Sequence, residues 1–559
     1  MNRNAESHFS QLPHANIERS RFDRSHSIKF TGNTGDLIPF LCEPILPGDT
    51  WEIDTSKILR LQTMVSPVMD SAFLDVYYFF VPNRLIWSHW KEFMGENTQS
   101  AWYPTTQYNI PKITIPVTGV DVCSIMDYLG IPPYGLSPGI VAPQTVDVNA
   151  LRLRGYLQIC QEWFRDQNLE DPLNFSLGDA TVVYDSTTVH GGAPFKAAKM
   201  HDYFTSCLPG PQKSASPVQI PASGILPVST SSSVLEIGAP TEPLRWQALN
   251  GSANRYTGGL RSVVDSGGTS RDFFEVTNSS SGAHYAPINL VATSTPGILG
   301  TGFLSMSVTD LRLAFQTQKF LEKQARGGSR YREILLSHFG VVSPDARQQV
   351  PEYLGGNRIP LNIQQVVNSA ESADQPLGNL GAFSQTTDVH SDVFKSFTEH
   401  GYLYGLAVVR YDHTYSQGAD RDWFVNDMYD FYWPVFASIS EQPVYTREIY
   451  FWDATSLVPT PNVFGYQEAW ANYRYAVNRV AGEMRPYVPN GLVSWSFADV
   501  YDQNPTLSAS WIKEDKSNID RTLAVTSAVS NQFWADFYVK ATVTRPMPLY
   551  SVPGLVDHF

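Results

Sequence analysis

The sequence predicts a mainly β protein whose few helices lie in insertions. Strand-length apolar segments occur near both ends of the chain, at residues 73–81, 402–411 and 532–545. Helical patterns are few and separated, so the regular alternation of strands and helices that builds a parallel sheet is missing. Aromatic residues make up 13% of the 559 residues, and 38 glycines and 38 prolines supply turns. One β sandwich with long insertions accounts for these features and for the length.

The N-terminal part predicts an arm followed by strands. Residues 1–30 are polar and hold five Lys and Arg against three Asp and Glu, in a chain with a formal net charge of −14. They predict a flexible N-terminal arm, or simply a frayed terminus. Residues 51–54 alternate apolar and acidic side chains, which predicts a strand with one buried face. Residues 73–81 are apolar on both faces, which predicts a strand covered on both sides.

Three segments predict helices. Residues 151–165 place apolar side chains on one stripe. A second helix is predicted to begin at Ser307, with Asp310 three residues later as a capping box, and to end at residues 327–328, which are both glycine. A third is predicted at Ser343-Pro344, a cap followed by proline at the first helical position.

The middle and the end of the chain differ in composition from the rest. Residues 212–304 are rich in Ser, Gly, Thr and Pro, which is typical of functional loops or disorder. The last residues hold three prolines and predict an extended C-terminal arm. We expect five divisions: an N-terminal arm (1–30), a first sandwich part with a helical insertion (31–211), a surface insertion (212–304), a second sandwich part with helical insertions (305–540) and a C-terminal arm (541–559).

Several functional classes lack their sequence signatures. The four cysteines form no CxxC pair and fit a reducing compartment. The first residues lack the apolar stretch of a signal peptide, and no apolar run is long enough to predict a membrane span. No Walker phosphate loop, HExxH motif or GxSxG elbow occurs. We therefore expect no catalytic residue, no cofactor, no metal and no membrane insertion.

Two groups of polar residues are weak candidates for a site. Asp388, His390 and Asp392 stand on alternate positions and could hold a divalent ion, although a polar loop is the favoured interpretation. Glu162 and Asp166 are one helical turn apart, as paired catalytic carboxylates could be, but a solvated helix face is favoured. The alternative class, a carbohydrate-binding protein or glycosidase on a β sandwich, calls for a signal peptide and two carboxylates across a cleft.

A basic cluster surrounds the second predicted helix. It consists of Arg312, Lys319, Lys323, Arg326, Arg330 and Arg332. A helix followed by the sequence RGGSR could present both side chains and backbone amides to phosphates. The same arginines could instead pair with acidic residues across a subunit contact.

Long segments of the sequence resemble one known family. They are residues 22–54, 65–96, 202–213, 325–356, 464–475 and 545–559, and residues 65–96 (VSPVMDSAFLDVYYFFVPNRLIWSHWKEFMGE) carry the resemblance most closely. These segments resemble the major capsid proteins of gokushoviruses, which are small bacteriophages of the Microviridae. Residues 470–472 (Trp-Ala-Asn) depart from the family pattern around them.

The resemblance implies both a fold and a function. It implies an eight-stranded antiparallel viral jelly roll with long loop and helical insertions. It also implies a T=1 icosahedral shell of sixty copies, with pentamers and threefold contacts, around circular single-stranded DNA. The insertion at 212–304 falls where this family carries the protrusion at each threefold axis, so we expect it to mediate attachment to the host.

The resemblance also implies partners. We expect nucleic-acid contacts from Arg19, Arg21, Arg24, Lys29, Arg326, Arg330 and Arg332. Sixty copies at −14 each would carry a formal charge of about −840, so a separate small basic DNA-binding protein or polyamines should neutralise most of the DNA. Other minor virion proteins and a host surface receptor are further expected partners. The expected location is the virion, assembled in the cytoplasm of the bacterial host.

Overall fold

The computed structural model of the chain describes residues 17–102, 104–133, 144–214, 218, 245–247, 255–264, 270–277, 283–285, 307–369, 377–452 and 462–551. The chain divides into two compact units, Met1–Pro217 with Gln318–Phe559, and Val218–Thr317. We expected a surface insertion at residues 212–304, and the second unit spans most of that range. Residues 1–16 and 552–559 of the two expected arms lie outside the described residues.

Eight strands of the first unit form the main part of a five-stranded antiparallel sheet and the whole of a four-stranded one. They are β1 (His26–Gly32), β2 (Ile38–Ile45), β3 (Thr50–Leu61), β4 (Ala72–Pro82), β5 (Glu352–Pro360), β6 (Thr386–Ser396), β7 (Gly401–Tyr411) and β8 (Phe533–Arg545). The first sheet has the order β1-β8-β3-β6, and the second sheet has the order β5-β4-β7-β2. Both sheets combine strands from distant parts of the chain, as in a jelly roll. The predicted mainly β, antiparallel jelly-roll class is confirmed.

The first sheet buries one face only. Along β3 the side chains of Trp51, Ile53 and Leu59 point into the sandwich, and those between them point away from it. Strand β8 follows the same period of two, with Phe533 and Phe537 inside. The alternation predicted at residues 51–54 is therefore confirmed. The side chains on the other face of the first sheet point away from the sandwich.

The second sheet buries both faces. On β4, Leu74 and Val76 pack against the first sheet, whereas Phe79 and Val81 pack in a separate core with the connection that follows this strand. The predicted two-sided burial of residues 73–81 is confirmed. A strand with two apolar faces needs a layer on each side, because an uncovered face would expose apolar area to water.

Two long connections supply the additional layers, one between β4 and β5 and one between β7 and β8. Their helices are Asn83–Ile86, Trp90–Phe93, Ile125–Tyr128, α1 (Leu151–Ile159), α2 (Val308–Gly327), α3 (Tyr331–Ile334), Asp345–Gln348 and Ser517–Asp520. Two helices continue as π-helical turns, α1 into Cys160–Phe164 and α3 into Leu335–Phe339. Single 3-10 turns are Arg421–Phe424, Met428–Asp430, Pro434–Phe436, Thr446–Glu448, Ala471–Tyr473, Gly482–Met484 and Val493–Trp495.

The helix predictions at residues 151–165 and from Ser307 to residue 327 are confirmed. The side chain of Ser307 accepts the backbone N–H of Thr309, at 3.1 Å, as a residue before a helix does. The third prediction is displaced by one residue. Pro344 precedes the short helix Asp345–Gln348 in an extended conformation instead of occupying its first position.

Helix α1 is the main cover of the second sheet. The Tyr156 hydroxyl donates to the Leu37 carbonyl at 2.8 Å and accepts the backbone N–H of Phe195 at 3.0 Å. From the sheet, the Tyr404 hydroxyl of β7 donates to the Arg152 carbonyl of α1 at 2.7 Å. These buried bonds fix the helix on the sheet, since each hydroxyl would otherwise lack a partner away from water.

Smaller strands surround the jelly roll. In the first unit they are Ser20–Asp23, Lys112–Ile115, Val146–Asn149, Val182–Val183, Ile363–Val367, Leu380–Ser384, Thr414–Tyr415, Glu441–Tyr445, Val463–Glu468 and Asn478–Arg479. In the second unit Arg245–Gln247, Arg255–Val264, Ser270–Thr277 and Ala283–Tyr285 form an antiparallel sheet in chain order. Part of the range in which we expected loops or disorder therefore holds strands, because residues 255–264 and 270–277 are locally rich in β-branched and aromatic residues.

The described parts of the two expected arms also join the first sheet. Strand Ser20–Asp23 pairs with Thr542–Arg545 at the end of β8, and β1 continues along the same strand. Residues 20–30, which we expected to be flexible, are thus held by β8. Their alternating pattern of apolar and polar side chains is too short to be distinguished from an arm without the partner strand.

A buried charged cluster fixes the connection between β7 and β8. His413 lies just after β7, with Nδ1 at 3.0 Å from Asp499 and Nε2 at 3.1 Å from Glu514. Burial lowers the pKa of His413, but the two carboxylates outweigh burial and raise this pKa to about 10. Burial tends to raise the pKa of Asp499, yet the charges of His413 and Lys199 hold it below its ordinary value. The imidazolium therefore joins two loops that are about 100 residues from it in sequence.

The protonation of His413 should be visible in the stability of the chain. A group whose pKa rises on folding stabilises fully below its ordinary pKa of 6.5, and that contribution declines until the pH passes about 10. We expect His413→Gln to lower the free energy of unfolding by about 3 kcal/mol at pH 6, because two buried carboxylates lose their shared cation. Urea unfolding at pH 6, 8 and 10 measures this difference. The exposed His390→Gln is the control. A difference in unfolding free energy between wild type and His413→Gln that is the same at all three pH values would contradict the assignment.

Candidate functional site

The four N-terminal cations expected to contact nucleic acid lie along the first sheet. Arg21 Nη2 is 3.5 Å from a Glu52 carboxylate oxygen, and Lys29 Nζ is 3.4 Å from one of Asp536. All four groups are exposed enough for water to screen these pairs, so the pairs contribute little to stability. Both cations therefore stay available at the outer face of the sheet.

The other two N-terminal cations lie at the margin of the same sheet. Arg24 pairs with Glu43 of β2. Arg19 is exposed and makes no ion pair within the described residues. The structure thus places Arg21, Arg24 and Lys29 along the edge of the first sheet that pairs with β8, and their contact with nucleic acid stays a prediction.

The three arginines around α2 and α3 have partners within the chain. Arg326 Nε contacts Glu441, and its Nη1 lies 3.3 Å from Glu468. Arg330 Nη1 pairs with Glu333 at 3.1 Å, and its Nη2 donates to the Arg165 carbonyl at 2.9 Å.

Arg332 is held by an aromatic ring and by the end of α1. Its guanidinium carbon lies 3.9 Å from the centroid of the Trp163 ring, and its Nη2 donates to the Glu162 carbonyl at 3.1 Å. Its Nη1 lies 3.5 Å from Asp345. Arg330 and Arg332 therefore fasten the segment after α2 to the π-helical turn after α1. Their contact with nucleic acid stays a prediction.

The remaining cations of this cluster are more open. Arg312, Lys319 and Lys323 are exposed along α2. They make no ion pair with any residue that the structure describes. The cluster predicted as one unit thus divides into arginines that stabilise the fold and exposed cations that face outward.

A cavity of about 850 Å³ lies between the residues that follow α1 and the segment after α2. Its lining includes Arg165, Arg326 and Arg330, and also Asp166 and Glu333. Carboxylates and backbone carbonyls already accept from these three arginines, so they serve the fold in the first place.

The weak metal candidate has a structural role instead. Asp392 accepts from Tyr78 at 3.0 Å and lies 3.4 Å from the ammonium of Lys57, which is buried between the sheets with 1% of its side chain exposed. The carboxylate of Asp388 lies 3.5 Å from the same ammonium. His390 is exposed on β6. Within the described ranges no group of three or more His, Cys, Asp or Glu side chains is arranged to hold a metal ion.

The weak carboxylate pair does not form a catalytic arrangement. Asp166 accepts the backbone N–H groups of Asn168 and Leu169 at 2.8 and 3.2 Å, and so caps the turn after α1. The carbonyl of Glu162 is what holds Arg332. In the part of the chain that the structure describes, no helix is long and apolar enough to cross a membrane.

An exposed aromatic segment is the feature that the sequence predictions missed. It comprises residues 421–439 in the connection between β7 and β8, and its exposed members are Trp423, Met428, Tyr429, Phe431, Tyr432, Trp433, Val435 and Ile439. Trp423 and Val435 expose 81% and 80% of their surface. The signal was present in the letters MYDFYWPVF, where five of nine residues are aromatic. Many exposed apolar side chains in one short segment are typical of a contact with another molecule.

Trp470 anchors the aromatic segment. Its indole N–H donates to the Phe436 carbonyl at 2.9 Å, and its ring packs edge-on against Tyr432 at 5.6 Å between centroids. Trp470 is buried and has a left-handed backbone, with φ of 65°. Trp470, one of the three residues that depart from the family pattern, thus packs against the aromatic segment and holds it in place.

The structural role of Arg332 can be separated from a role in nucleic-acid binding. We expect Arg332→Ala to lower the free energy of unfolding by about 2 kcal/mol, because it removes the contact over Trp163 and the bond to the Glu162 carbonyl. Arg332→Lys should lose part of that amount, and Lys323→Ala, an exposed cation of α2, should lose almost none. Urea unfolding of the purified chain measures all three, and an Arg332→Ala variant as stable as wild type would contradict the role.

Comparison with known proteins agrees with this arrangement. The family described as Capsid protein (F protein) matches residues 10–555. The chain is 40% identical over 562 residues to the capsid protein VP1 of Spiroplasma virus 4, covering 98% of this chain and 97% of the relative. It is 37% identical to VP1 of Chlamydia phage 1 (98% and 97% covered) and 36% identical to VP1 of Bdellovibrio phage phiMH2K (99% and 98% covered).

These matches extend over almost the whole chain, so they apply to both units together. Capsid proteins are structural components of the virion, whose copies build a shell, and they are not enzymes. The predicted resemblance is confirmed. The chain belongs to the phage capsid protein (F protein) family, and it is a major capsid protein of the gokushovirus type within the Microviridae.

Proposed function

We propose that sixty copies of this capsid protein assemble, in the cytoplasm of a bacterial host, into a T=1 icosahedral shell around circular single-stranded DNA. The observation that carries the assembly proposal is the aromatic segment at residues 421–439. Its side chains are exposed in the single chain, and covering them with a neighbouring copy removes apolar area from water. Aromatic residues also dominate the cores of protein interfaces.

The low charge of the chain supports the same proposal. Charged residues are 17% of the sequence, below the ~25% of an average soluble domain. A subunit whose neighbours cover much of its surface needs fewer charges to stay soluble. Each contact can be weak, because a closed shell repeats it many times.

The negative charge of the shell sets a requirement for packaging. About −840 for sixty copies would repel DNA, so we propose that a small basic virion protein or polyamines supply the counter-charge. Local cations of the capsid protein, at Arg19, Arg21, Arg24 and Lys29 and around α2 at Arg326, Arg330 and Arg332, would add contacts to the DNA. Other minor virion proteins would complete the particle.

The insertion at residues 212–304 is the proposed attachment element. Its Ser, Gly, Thr and Pro content is that of a surface segment, and the segments on either side of it, residues 202–213 and 325–356, resemble the family. Surface loops on a rigid scaffold are frequent sites of recognition. We propose that it forms the protrusion at each threefold axis and binds a host surface receptor.

Loss of the aromatic surface should impair assembly and leave the subunit folded. We expect the double variant Trp423→Ser, Val435→Ser to yield at least tenfold fewer shells, because two exposed apolar side chains leave the contact. Electron microscopy and sedimentation measure the yield, and urea unfolding checks the subunit. The conservative variant Trp423→Phe, Val435→Ile keeps the apolar surface and should assemble. Equal yields from all three proteins would show that this segment does not carry assembly.

Removal of the insertion should separate assembly from attachment. Replacing residues 219–304 with a short Gly-Ser linker leaves Lys213, whose ammonium donates to Asn168 at 2.7 Å, and all of α2 in place. We expect such particles to form shells visible by electron microscopy and to lose adsorption to host cells. Wild-type particles purified in the same way are the control. If the deletion abolished shells, the insertion would be an assembly element and the attachment proposal would fail.

A further inference from the structure

The outer face of the first sheet remains open in the described chain. The second sheet is covered on both sides, but no layer of described residues lies above the side chains of β8 and β6 that point out of the sandwich. Trp534 and Tyr538 on β8 expose 44% and 47% of their surface, and Phe394 on β6 exposes 80%. Exposure of aromatic rings to water is unfavourable, so several exposed rings on one face indicate that another molecule binds there.

The strand register places cations and hydroxyl groups beside these rings. Trp534 of β8 lies between Thr31 of β1 and Arg60 of β3. Directly opposed residues on one face are neighbours, about 5 Å apart. Trp534 therefore has a guanidinium on one side and a hydroxyl group on the other.

The next residues along β8 are likewise flanked by hydroxyl groups and charged side chains on β1 and β3. Tyr538 lies between Ser27 and Ser56, and Lys29 lies opposite Asp536. Trp534 and Tyr538 are four residues apart on one strand, which is about 13 Å. Single-stranded DNA can place bases on both rings within a few nucleotides.

A cavity marks the best-formed part of the face. It has a volume of about 420 Å³ and is lined by Lys29, Thr31, Ile58, Arg60 and Trp534, together with Phe30, Ala535 and Asp536. Arg60 makes no ion pair with any described residue, and Lys29 has only the exposed Asp536 as a partner. The cavity thus combines one aromatic wall with an unpaired guanidinium.

We propose that this face binds single-stranded DNA, with one base stacked on Trp534 in the cavity, its phosphate on Arg60, and a second base against Tyr538. The inference rests on the proposed packaging of single-stranded DNA and names the surface that holds it. Stacking accepts any base, so the face needs no sequence preference. It follows that the first sheet is turned toward the interior of the shell.

Charge favours nucleic acid over a second copy as the occupant. The face carries four cations (Arg21, Lys29, Arg60 and Lys540) and four anions (Asp23, Glu52, Asp54 and Asp536), all partly or fully exposed. Cores of protein interfaces are depleted of charged residues. The formal charge of the face is zero on a chain of net charge −14, and Arg60 has no carboxylate partner among the described residues. Such charges, interleaved with rings and hydroxyl groups, fit a strand of phosphates and bases.

The first experiment locates the DNA in assembled particles. Purified wild-type particles are irradiated with ultraviolet light and digested, and the peptides attached to nucleotides are identified by mass spectrometry. We expect cross-links within residues 533–545, at Trp534 or Tyr538. Cross-links confined to other segments would overturn the proposal. Particles that contain no DNA would instead overturn the proposed packaging function, which is a separate result.

The second experiment measures affinity with the purified full-length chain. A fluorescent twenty-nucleotide oligo(dT) is the probe, and fluorescence anisotropy reports its binding. We expect Trp534→Ala to weaken binding about tenfold, since one stacked base is lost, and Trp534→Phe to retain most of it. Trp102→Ala, which removes a tryptophan that is 91% exposed in the β4–β5 connection, is the matched control.

The cation has its own expected result. Arg60→Gln should weaken binding several-fold and reduce the slope of log affinity against log salt by about 0.7, as for one phosphate contact. Unchanged binding in both Trp534→Ala and Arg60→Gln, with unfolding free energies close to wild type, would overturn the proposal. So would a Trp534→Ala chain that binds oligo(dT) normally but forms no shells, because the face would then be a contact between copies.

Discussion

Two-sided burial of the second sheet is the constraint on which the rest of this capsid subunit depends. Strands β4 and β7 carry apolar side chains on both faces, so one face needs the first sheet and the other needs a separate layer. The connection between β4 and β5 provides that layer, and α1 is its centre. The long insertion is therefore part of the core and not an appendage to a complete jelly roll, since its removal would expose the outer core to water.

The first sheet shows the opposite pattern and the opposite consequence. Its strands alternate, so one face completes the sandwich while the other keeps rings, hydroxyl groups and cations in solvent. The two sheets of the subunit therefore differ in what they can contact. The covered sheet carries the insertions and, through the connection between β7 and β8, the aromatic segment that we propose as the contact with a neighbouring copy. The open sheet is left for a ligand that is polar and aromatic at once.

Charged residues inside the subunit serve to join distant segments. Lys57 between the sheets reaches carboxylates of β6, and His413 connects loops near residues 499 and 514. Arg330 and Arg332 connect the segment after α2 to the end of α1. These contacts explain why cations that looked like a phosphate-binding cluster in the sequence are largely engaged with carboxylates and carbonyls. Some of these partners are near in sequence, such as Glu333, but the carbonyls of Glu162 and Arg165 lie more than 160 residues from the arginines that they hold.

The sequence by itself determined the mainly β class, the strands at residues 51–54 and 73–81, helices within 151–165 and from Ser307 to residue 327, and the family, because periodicity and local motifs depend on neighbours along the chain. It could not determine that Asp388 and Asp392 face Lys57 in place of a metal ion, that residues 20–30 join β8, or that Trp534 and Arg60 share one face. Those outcomes depend on strand register and on pairs separated by hundreds of residues, and only the folded chain brings such groups within a few ångströms of each other.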